Sequence, residues 1–136
     1  MTTDGRLLRG EQTRRLILDR AMNIASAEGL DGLSIGRLSA ELKISKSGLF
    51  THFGSKEELQ LATVRAAREV FVAVVIDPVR TAAPGLTRVR ALLESWLGYS
   101  QQRYFPGGCF LFEVSAEFDA RPGRVRDEIA HALDDW

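Results

Sequence analysis

The fold of this chain is decided by residues 34–59, which read SIGRLSAELKISKSGLFTHFGSKEEL. The first part predicts a short helix, because Ser34 can cap its start and apolar residues then recur at helical spacing. These apolar residues are Ile35, Leu38 and Leu42. After a short break comes a second helix, in which Leu49 and Phe53 lie four residues apart and can face a core. Two short helices joined by a tight turn predict a helix-turn-helix motif over 34–53.

The second helix has the composition of a surface that approaches DNA closely. A buried helix would use Ala and Leu, whereas this one carries small or flexible polar residues and a glycine. They are Ser45, Lys46, Ser47, Gly48 and Thr51. Such residues let base edges and phosphates of the major groove come within hydrogen-bonding distance. A solvated amphipathic helix of poor helix propensity is the alternative interpretation of the same pattern.

The remaining sequence predicts further helices and no strand, since helical periodicity and helix-ending residues recur throughout. Gly29 can close the first helix, and Ser55 with Glu58 forms a capping box. Besides the two short helices, helices are predicted over Gly10–Glu28, Lys56–Ile76, Thr87–Tyr104 and Phe110–Asp119, and from about Pro122 onward. The fold class is therefore all-α. The last helix is expected to be still running at Trp136, which indicates a C-terminally shortened chain.

Bulk composition places the chain among globular proteins. Its 136 residues are 45% hydrophobic and 26% charged, unlike those of disordered chains. The longest apolar run, VFVAVVI at 70–76, is far shorter than the roughly 20 residues of a membrane helix, and the N-terminus lacks a secretion signal. The single cysteine, Cys109, excludes a disulfide within the chain and fits a reducing compartment. A cytoplasmic protein with no membrane partner is expected.

The net charge of zero hides an uneven distribution. Residues 1–55 hold eight Lys or Arg against six Asp or Glu, whereas residues 56–136 hold ten against twelve. A basic N-terminal half and an acidic C-terminal half are expected of a nucleic-acid-binding protein with a separate partner domain. The difference is small enough to arise by chance in a neutral chain.

The helix-turn-helix region resembles one family of regulators. Residues 33–64, LSIGRLSAELKISKSGLFTHFGSKEELQLATV, are similar to the DNA-binding segment of TetR-family transcriptional regulators. Residues 17–35 look like that family's first helix and turn, and residues 105–127 look like a ligand-domain segment of one of its branches. The resemblance implies a three-helix, homeodomain-like head at 1–55. A helical body for ligand binding and dimerisation, incomplete at its C-terminus, is implied at 56–136.

The resemblance also implies which residues contact DNA. These are Ser34, Arg37, Ser45, Lys46, Ser47, Gly48, Phe50, Thr51, His52 and Lys56. Phe50 stands where the family carries a tyrosine, so the phenol hydroxyl is lost and apolar contact, for instance with a thymine methyl, remains. His52 can donate to a phosphate as a neutral imidazole, or it can cap the helix end as a half-buried residue. Lys56 stands where a lysine usually meets a phosphate.

Other residues near the motif carry further expectations. Lys43 occupies a turn position where the family commonly has glycine, so it is expected to take a left-handed backbone conformation. Ser39 replaces a typical alanine, which is a mild change. Four arginines are candidates for an N-terminal arm along the minor groove or backbone: Arg6, Arg9, Arg14 and Arg15. Arg6 and Arg9 fit a frayed, solvated tail equally well.

Large side chains concentrate in the C-terminal half. In a ligand-responsive regulator some of them line an apolar pocket, and the chosen candidates are Trp96, Tyr99 and Phe110. For each of them a purely structural place in the core is the alternative. Cys109 follows two glycines at a helix start, where a thiolate is stabilised. A redox sensor and a buried, inert thiol both remain open for this residue.

An enzyme is not predicted. The two histidines, His52 and His131, are far apart in sequence and lack a companion cluster. Metal-ligand spacing, a phosphate-binding glycine loop and a nucleophile motif are all missing from the sequence. Glu113 and Glu117 share a helix face, but such pairs are usually solvated. No catalytic residue, metal site or cofactor is therefore expected.

The sequence thus predicts a TetR-like DNA-binding transcriptional regulator. We expect a repressor that binds a pseudo-palindromic double-stranded operator in the major groove and is released by a small-molecule effector. A homodimer is expected because two heads on a palindrome combine their binding energies, with dimer contacts through helices partly missing from this chain. The alternative is a truncated, non-enzymatic helical interaction module that no longer represses.

Overall fold

The computed structural model describes residues 2–134, with side chains from residue 5 onward. This part of the chain contains seven α-helices and no strand, so the predicted all-α fold is confirmed. The helices are α1 (Thr2–Glu28), α2 (Ile35–Leu42), α3 (Lys46–His52), α4 (Lys56–Phe71), α5 (Leu86–Gln101), α6 (Phe110–Phe118) and α7 (Arg124–Asp134). None of the described helices is long and apolar enough to cross a membrane. The expectation about the chain end at Trp136 lies outside the described residues.

Helix α1 begins at Thr2, well before the predicted start at Gly10. A glycine inside a helix costs about 1 kcal/mol relative to alanine, but residues 2–9 contain no proline that would stop the helix. The end of α1 is as predicted, because Gly29 follows with φ of 81°, a conformation that glycine adopts readily. A 3₁₀ turn at Leu30–Gly32 then leads towards α2.

The turn between α2 and α3 is held by local hydrogen bonds. Ser34 caps α2 by accepting from the Arg37 amide (3.0 Å), as predicted. Lys43 follows α2 in the left-handed conformation (φ 55°, ψ 40°), which confirms the expectation for this position. Ser39 donates its hydroxyl to the Ile44 carbonyl (2.6 Å). The serine that replaces an alanine therefore ties the two sides of the turn together.

The long fourth helix reaches its predicted end but changes its hydrogen bonding on the way. Helix α4 is followed by a π-helical stretch, Val72–Ile76, and a 3₁₀ turn, Asp77–Val79. Pro78 explains the change, because it lacks an amide hydrogen and would clash with the carbonyl four residues back in a regular α-helix. Ser95 of α5 donates to the Val75 carbonyl (2.8 Å), which anchors α5 against the widened turn.

Two boundaries in the C-terminal half differ from the predictions. Helix α5 stops before the predicted Tyr104, because Arg103 takes a φ of 54° and leaves the helix. Helix α7 begins at Arg124 rather than at about Pro122. The reason is Gly123, whose φ of 146° lies outside the helical region.

One hydrophobic core joins both halves of the chain. Helix α4 packs against α1, α6 and α7, and all six residues from 59 to 64 are buried, so this central part of the helix is enclosed on every side. Leu30 and Phe53 of the N-terminal half belong to the same buried cluster as Phe110 and Ile129 of the C-terminal half. The two halves of the chain therefore share one core. The division into a DNA-binding part, 1–55, and a ligand-binding and dimerisation part, 56–136, stays a prediction about function.

Candidate nucleic-acid interface

Helix α3 turns its polar residues to solvent and its apolar residues to the core. Ser45 caps the helix by accepting from the Gly48 amide (3.0 Å), and Thr51 donates to the Ser47 carbonyl (2.9 Å). Leu49, on the opposite side, is completely buried. The outward face therefore consists mainly of short side chains that allow another molecule to approach the backbone closely.

Two longer side chains stand on the same helix. The exposed Lys46 runs along α2 at Gly36, where an added Cβ would lie 3.7 Å from the lysine Cε. Phe50 leaves half of its surface exposed, and its ring offers apolar contact only. Lys46 lies one helical turn before Phe50, so a positive charge and an apolar ring share this face, as expected for a surface that meets both phosphates and bases.

Three further candidates lie at the edges of this face. Ser34 is exposed at the start of α2. Lys56 is exposed at the start of α4, and its ammonium donates to the Asp31 carbonyl (3.1 Å), which leaves two of its three hydrogens for another acceptor. His52 is half-buried at the end of α3, with its ring tilted against Phe53 at 6.2 Å between centroids.

Arg37 is already engaged in ion pairs within the protein. Its guanidinium contacts the Glu28 carboxylate (2.7 Å) and the Glu41 carboxylate (3.1 Å), and Glu41 also pairs with Arg20 (2.7 Å). Hydrogen bonds from these arginines hold the pKa of Glu28 and of Glu41 below their usual values, and the carboxylates raise the pKa of Arg37. These bonds and one to the Gly32 carbonyl use four of the five N–H donors of Arg37, so a single donor remains for another acceptor such as a phosphate.

The four N-terminal arginines stand on a helix. Arg6, Arg9, Arg14 and Arg15 all lie within α1, so Arg6 and Arg9 are helical rather than part of a frayed tail, while the contact of these arginines with DNA stays a prediction. Arg15 pairs with Asp19 one turn further along the helix (3.5 Å). Arg14 turns towards α3, where it contacts the end of the recognition helix.

The turn between α1 and α2 is clamped by the C-terminal half. Glu117 of α6 accepts from the Leu30 amide (2.8 Å) and the Asp31 amide (3.0 Å) with its two carboxylate oxygens, so the expectation that it is solvated is wrong. Gly29 makes room for it, because an added Cβ would lie 2.7 Å from Glu117 Oε2. Arg121 pairs with Asp31 (2.7 Å) and holds the pKa of that carboxyl below its usual value. We call Glu117 and Arg121 the α6 clamp.

A second close contact joins α1 to the segment before α6. The Gly107 amide donates to Ser26 Oγ (3.1 Å). A Cβ at Gly107 would lie 1.7 Å from the Ser26 carbonyl oxygen, so only glycine fits. The sequence indicated a helix break at this glycine, whereas its place against α1 follows from tertiary packing.

The three ligand candidates have different surroundings. Phe110 is fully buried, and Trp96 packs half-buried against the core. Tyr99 borders an open groove of about 360 Å³, with its ring packed on Phe71 and Tyr104. Its buried hydroxyl approaches the Phe110 amide without completing a hydrogen bond, and burial raises the pKa of Tyr99.

Metal-binding side chains do not gather in the described part of the chain, which has no group of three or more His, Cys, Asp or Glu suited to hold a metal ion. Cys109 is half-buried and stands immediately before α6. Both interpretations of its thiol therefore remain open.

Comparison with known protein families matches two segments of the chain. Residues 17–63 match the family described as bacterial regulatory proteins, tetR family. Residues 85–136 match the tetracyclin repressor-like C-terminal domain. Among curated proteins no sequence matches this chain.

Solved structures of TetR regulators share its fold. A TetR transcriptional regulator from Chloroflexus aurantiacus J-10-FL is similar with a TM-score of 0.83 at 24% identity, over 94% of this chain and 65% of that one. AibR in complex with isovaleryl coenzyme A and operator DNA is similar with a TM-score of 0.75 at 22% identity, over 90% of this chain and 65% of that one. A TetR-family regulator from Streptomyces coelicolor is similar with a TM-score of 0.72 at 26% identity, over 93% of this chain and 65% of that one. The chain thus spans about 65% of the length of these structures.

Proposed function

This chain belongs to the TetR family of transcriptional regulators, and from this premise we propose that it is a repressor. It binds a pseudo-palindromic operator as a homodimer and leaves the operator when a small molecule binds. Family membership also confirms that the chain is a regulator rather than an enzyme. The proposed site of action is the cytoplasm.

The observation that carries the DNA-binding role is the outward face of α3. Its short polar residues surround Lys46, while Leu49 holds the helix to the core. A helix of this kind can enter the major groove, where the first residues reach base edges. Ser45, Lys46, Ser47, Gly48 and Thr51 are therefore proposed to read or approach the bases. Phe50 is proposed to contact a thymine methyl.

Residues around this face are proposed to hold the DNA backbone. Ser34 lies at the start of α2, His52 at the end of α3 and Lys56 at the start of α4, and all three carry donors suited to phosphates. Arg37 is proposed to join them through the one guanidinium hydrogen that its partners Glu28, Glu41 and Gly32 leave free. Phosphate contacts position the head, whereas base contacts set its sequence preference.

Two copies are needed for tight and selective binding, because one recognition helix makes few contacts. A row of exposed apolar residues on α5 supports contact with further protein in the assembled regulator. This row consists of Leu86, Val89, Leu93 and Leu97. We propose that residues 1–55 bind DNA and that residues 56–136 form the dimer and bind the effector.

A small-molecule effector is proposed by analogy with AibR, whose structure contains isovaleryl coenzyme A and operator DNA. In this chain the groove beside Tyr99 is the proposed starting point for an effector site. Effector binding would change the spacing of the two heads through α4, which packs against both halves of the chain.

The test is a binding measurement on a duplex that the wild-type chain selects from a random DNA pool. We expect Lys46→Ala to lower the affinity for this duplex about tenfold. If the slope of log binding constant against log salt concentration becomes shallower by about 0.9, Lys46 contacts a phosphate. If the sequence preference changes instead, Lys46 contacts a base. Arg80→Ala serves as the control, because it removes an exposed charge that lies before α5, outside the α-helices.

Failure of a folded, dimeric wild-type sample to select any sequence would contradict the repressor proposal. Dimerisation without DNA binding would support the alternative of an interaction module. Equal affinities of wild type and Lys46→Ala would remove Lys46 from the interface.

A further inference from the structure

Arg14 makes two contacts with the end of the recognition helix. Its Nη1 donates to the His52 carbonyl at 3.2 Å. Its guanidinium also lies over the Phe53 ring, with Cζ 4.6 Å from the ring centroid. His52 is the last residue of α3, and Phe53 is the residue that follows it. A side chain from α1 thus holds the C-terminal end of α3.

This end of α3 needs such support. A helix of seven residues is too short to be stable alone, and the last carbonyls of a helix have no partner within it. A cation near these carbonyls is favourable, because the C-terminus of a helix carries partial negative charge. The planar guanidinium can also stack on an aromatic ring while its edge donates, which an ammonium cannot do.

The two ends of α3 are therefore fixed by different means. Ser45 caps the start of the helix through the Gly48 amide, on the side that carries the polar residues. Arg14 fixes the other end from α1, which packs on α4 and α6. The angle at which α3 leaves the head, and hence its tilt in the major groove, depends on both attachments.

We propose that Arg14 is a positioning residue for operator binding, which fixes the end of the recognition helix instead of contacting DNA. This inference rests on the proposed DNA-binding function. Of the four arginines that were candidates for an N-terminal arm, Arg14 thus receives a role that requires no contact with DNA. Arg15 beside it makes no such contact with α3, since it pairs with Asp19.

The test compares Arg14→Lys and Arg14→Gln with Arg15→Lys and Arg15→Gln on the duplex selected by the wild type and on a scrambled duplex. We expect both Arg14 variants to bind the selected duplex about tenfold more weakly, and the Arg15 variants to stay within about twofold of wild type. Binding to the scrambled duplex should be unchanged by Arg14→Lys, because non-specific affinity depends on charge near the phosphates. The salt slope on the selected duplex should also be unchanged in both Arg14 variants.

Two controls separate positioning from a general loss of stability. Ile129→Val removes a methyl group from the buried part of α7, far from α3 in the sequence, and its melting temperature is compared with those of the Arg14 variants. Amide hydrogen exchange of residues 49–53 should rise in Arg14→Gln and remain at the wild-type level in Ile129→Val.

Three results would overturn the inference. Wild-type affinity in Arg14→Lys, with a slope lowered by about 0.9 in Arg14→Gln, would make Arg14 a phosphate contact. An equal loss of affinity in Ile129→Val would make the effect one of stability. Unchanged affinity in both Arg14 variants would remove the residue from operator binding altogether. If the wild-type chain selects no duplex, the proposed function itself fails, and this result is separate from the other three.

Discussion

Lys43 is one of two non-glycine residues with a left-handed φ in the described part of the chain, the other being Arg103. Lys43 adopts φ of 55° at the end of α2, where a Cβ is crowded and glycine is not. The exposed side chain has no compensating hydrogen bond among the described residues. Strain therefore resides in the turn of the helix-turn-helix motif.

Lys43→Gly is expected to raise the free energy of unfolding by about 1 kcal/mol, because it relieves the left-handed strain. Urea unfolding followed by circular dichroism measures the change. Lys43→Ala is the matched control, since it removes the charge and keeps the Cβ. If the glycine and alanine variants are equally stable, the strain is absent or is offset by the greater freedom of glycine in the unfolded chain.

Helix α6 is the element that connects the C-terminal half to the base of the helix-turn-helix motif. Glu117 uses both carboxylate oxygens on successive main-chain amides, at 2.8 Å and 3.0 Å. The carboxylate thereby satisfies two donors in a turn that faces α6. The position of the head relative to the rest of the chain depends on this element.

Glu117→Gln is expected to lower the free energy of unfolding by about 1–3 kcal/mol, because an amide offers one acceptor oxygen and turns its NH₂ group towards the second donor. Glu113→Gln on the same helix is the control, since Glu113 is exposed. Chemical unfolding at pH 7 measures both variants. Losses within about 0.5 kcal/mol of each other would show that the clamp contributes little.

At the scale of single elements, the sequence predicts only those contacts that neighbouring residues make with each other. Capping by Ser34, Ser45 and Ser55 is local, since each hydroxyl accepts from an amide three residues ahead. The caps at Ser34 and Ser55 were predicted from the residue types, and the cap at Ser45 has the same local signal. The partner of Glu117 lies 87 residues away at Leu30, so no local pattern could reveal it. Gly29 is the one residue in the turn whose type is linked to this contact. The end of α1 already accounts for a glycine there, so the glycine does not by itself point to Glu117.

The candidate DNA-binding residues follow the same rule. The outward face of α3 could be predicted, because alternation of polar and apolar residues within one helix determines it. The pair of Arg37 with Glu41 is also local, since the two residues lie four apart on α2. The contacts of Arg37 with Glu28 and of Arg14 with α3 could not be predicted, because both depend on how α1 packs on the later helices. Neither result decides which side chains reach the DNA.

At the scale of the whole molecule, the head and the rest of the chain share α4. Residues 59–64 of this helix are all buried, and Gln60 donates to the Leu30 carbonyl (3.1 Å) from within it. Removal of α4 would take Leu59 and Leu61 out of the buried cluster that also contains Leu30, Leu38 and Leu49 of the N-terminal half.

A fragment of residues 1–55 is therefore expected to be largely unfolded at 25 °C, and the full chain is expected to unfold in one cooperative transition. Nuclear magnetic resonance of the fragment and calorimetry of the full chain measure these properties. A fragment of residues 1–76, which restores α4, is the comparison and should gain helix content. Well-dispersed resonances from residues 1–55 alone would contradict the expectation and would show that the head folds independently.

The α6 clamp has a consequence for how regulators of this kind exchange parts. Glu117 holds main-chain amides, which every residue except proline carries, so recombination could join this body to a head of unrelated sequence without losing these two bonds. The new head would need an apolar residue in place of Leu30 and a glycine at position 29, where a side chain would strike the carboxylate. A glycine at this joint would then be one condition for joining the two parts, beside the core that they share, while the outward face of α3 remains open to change.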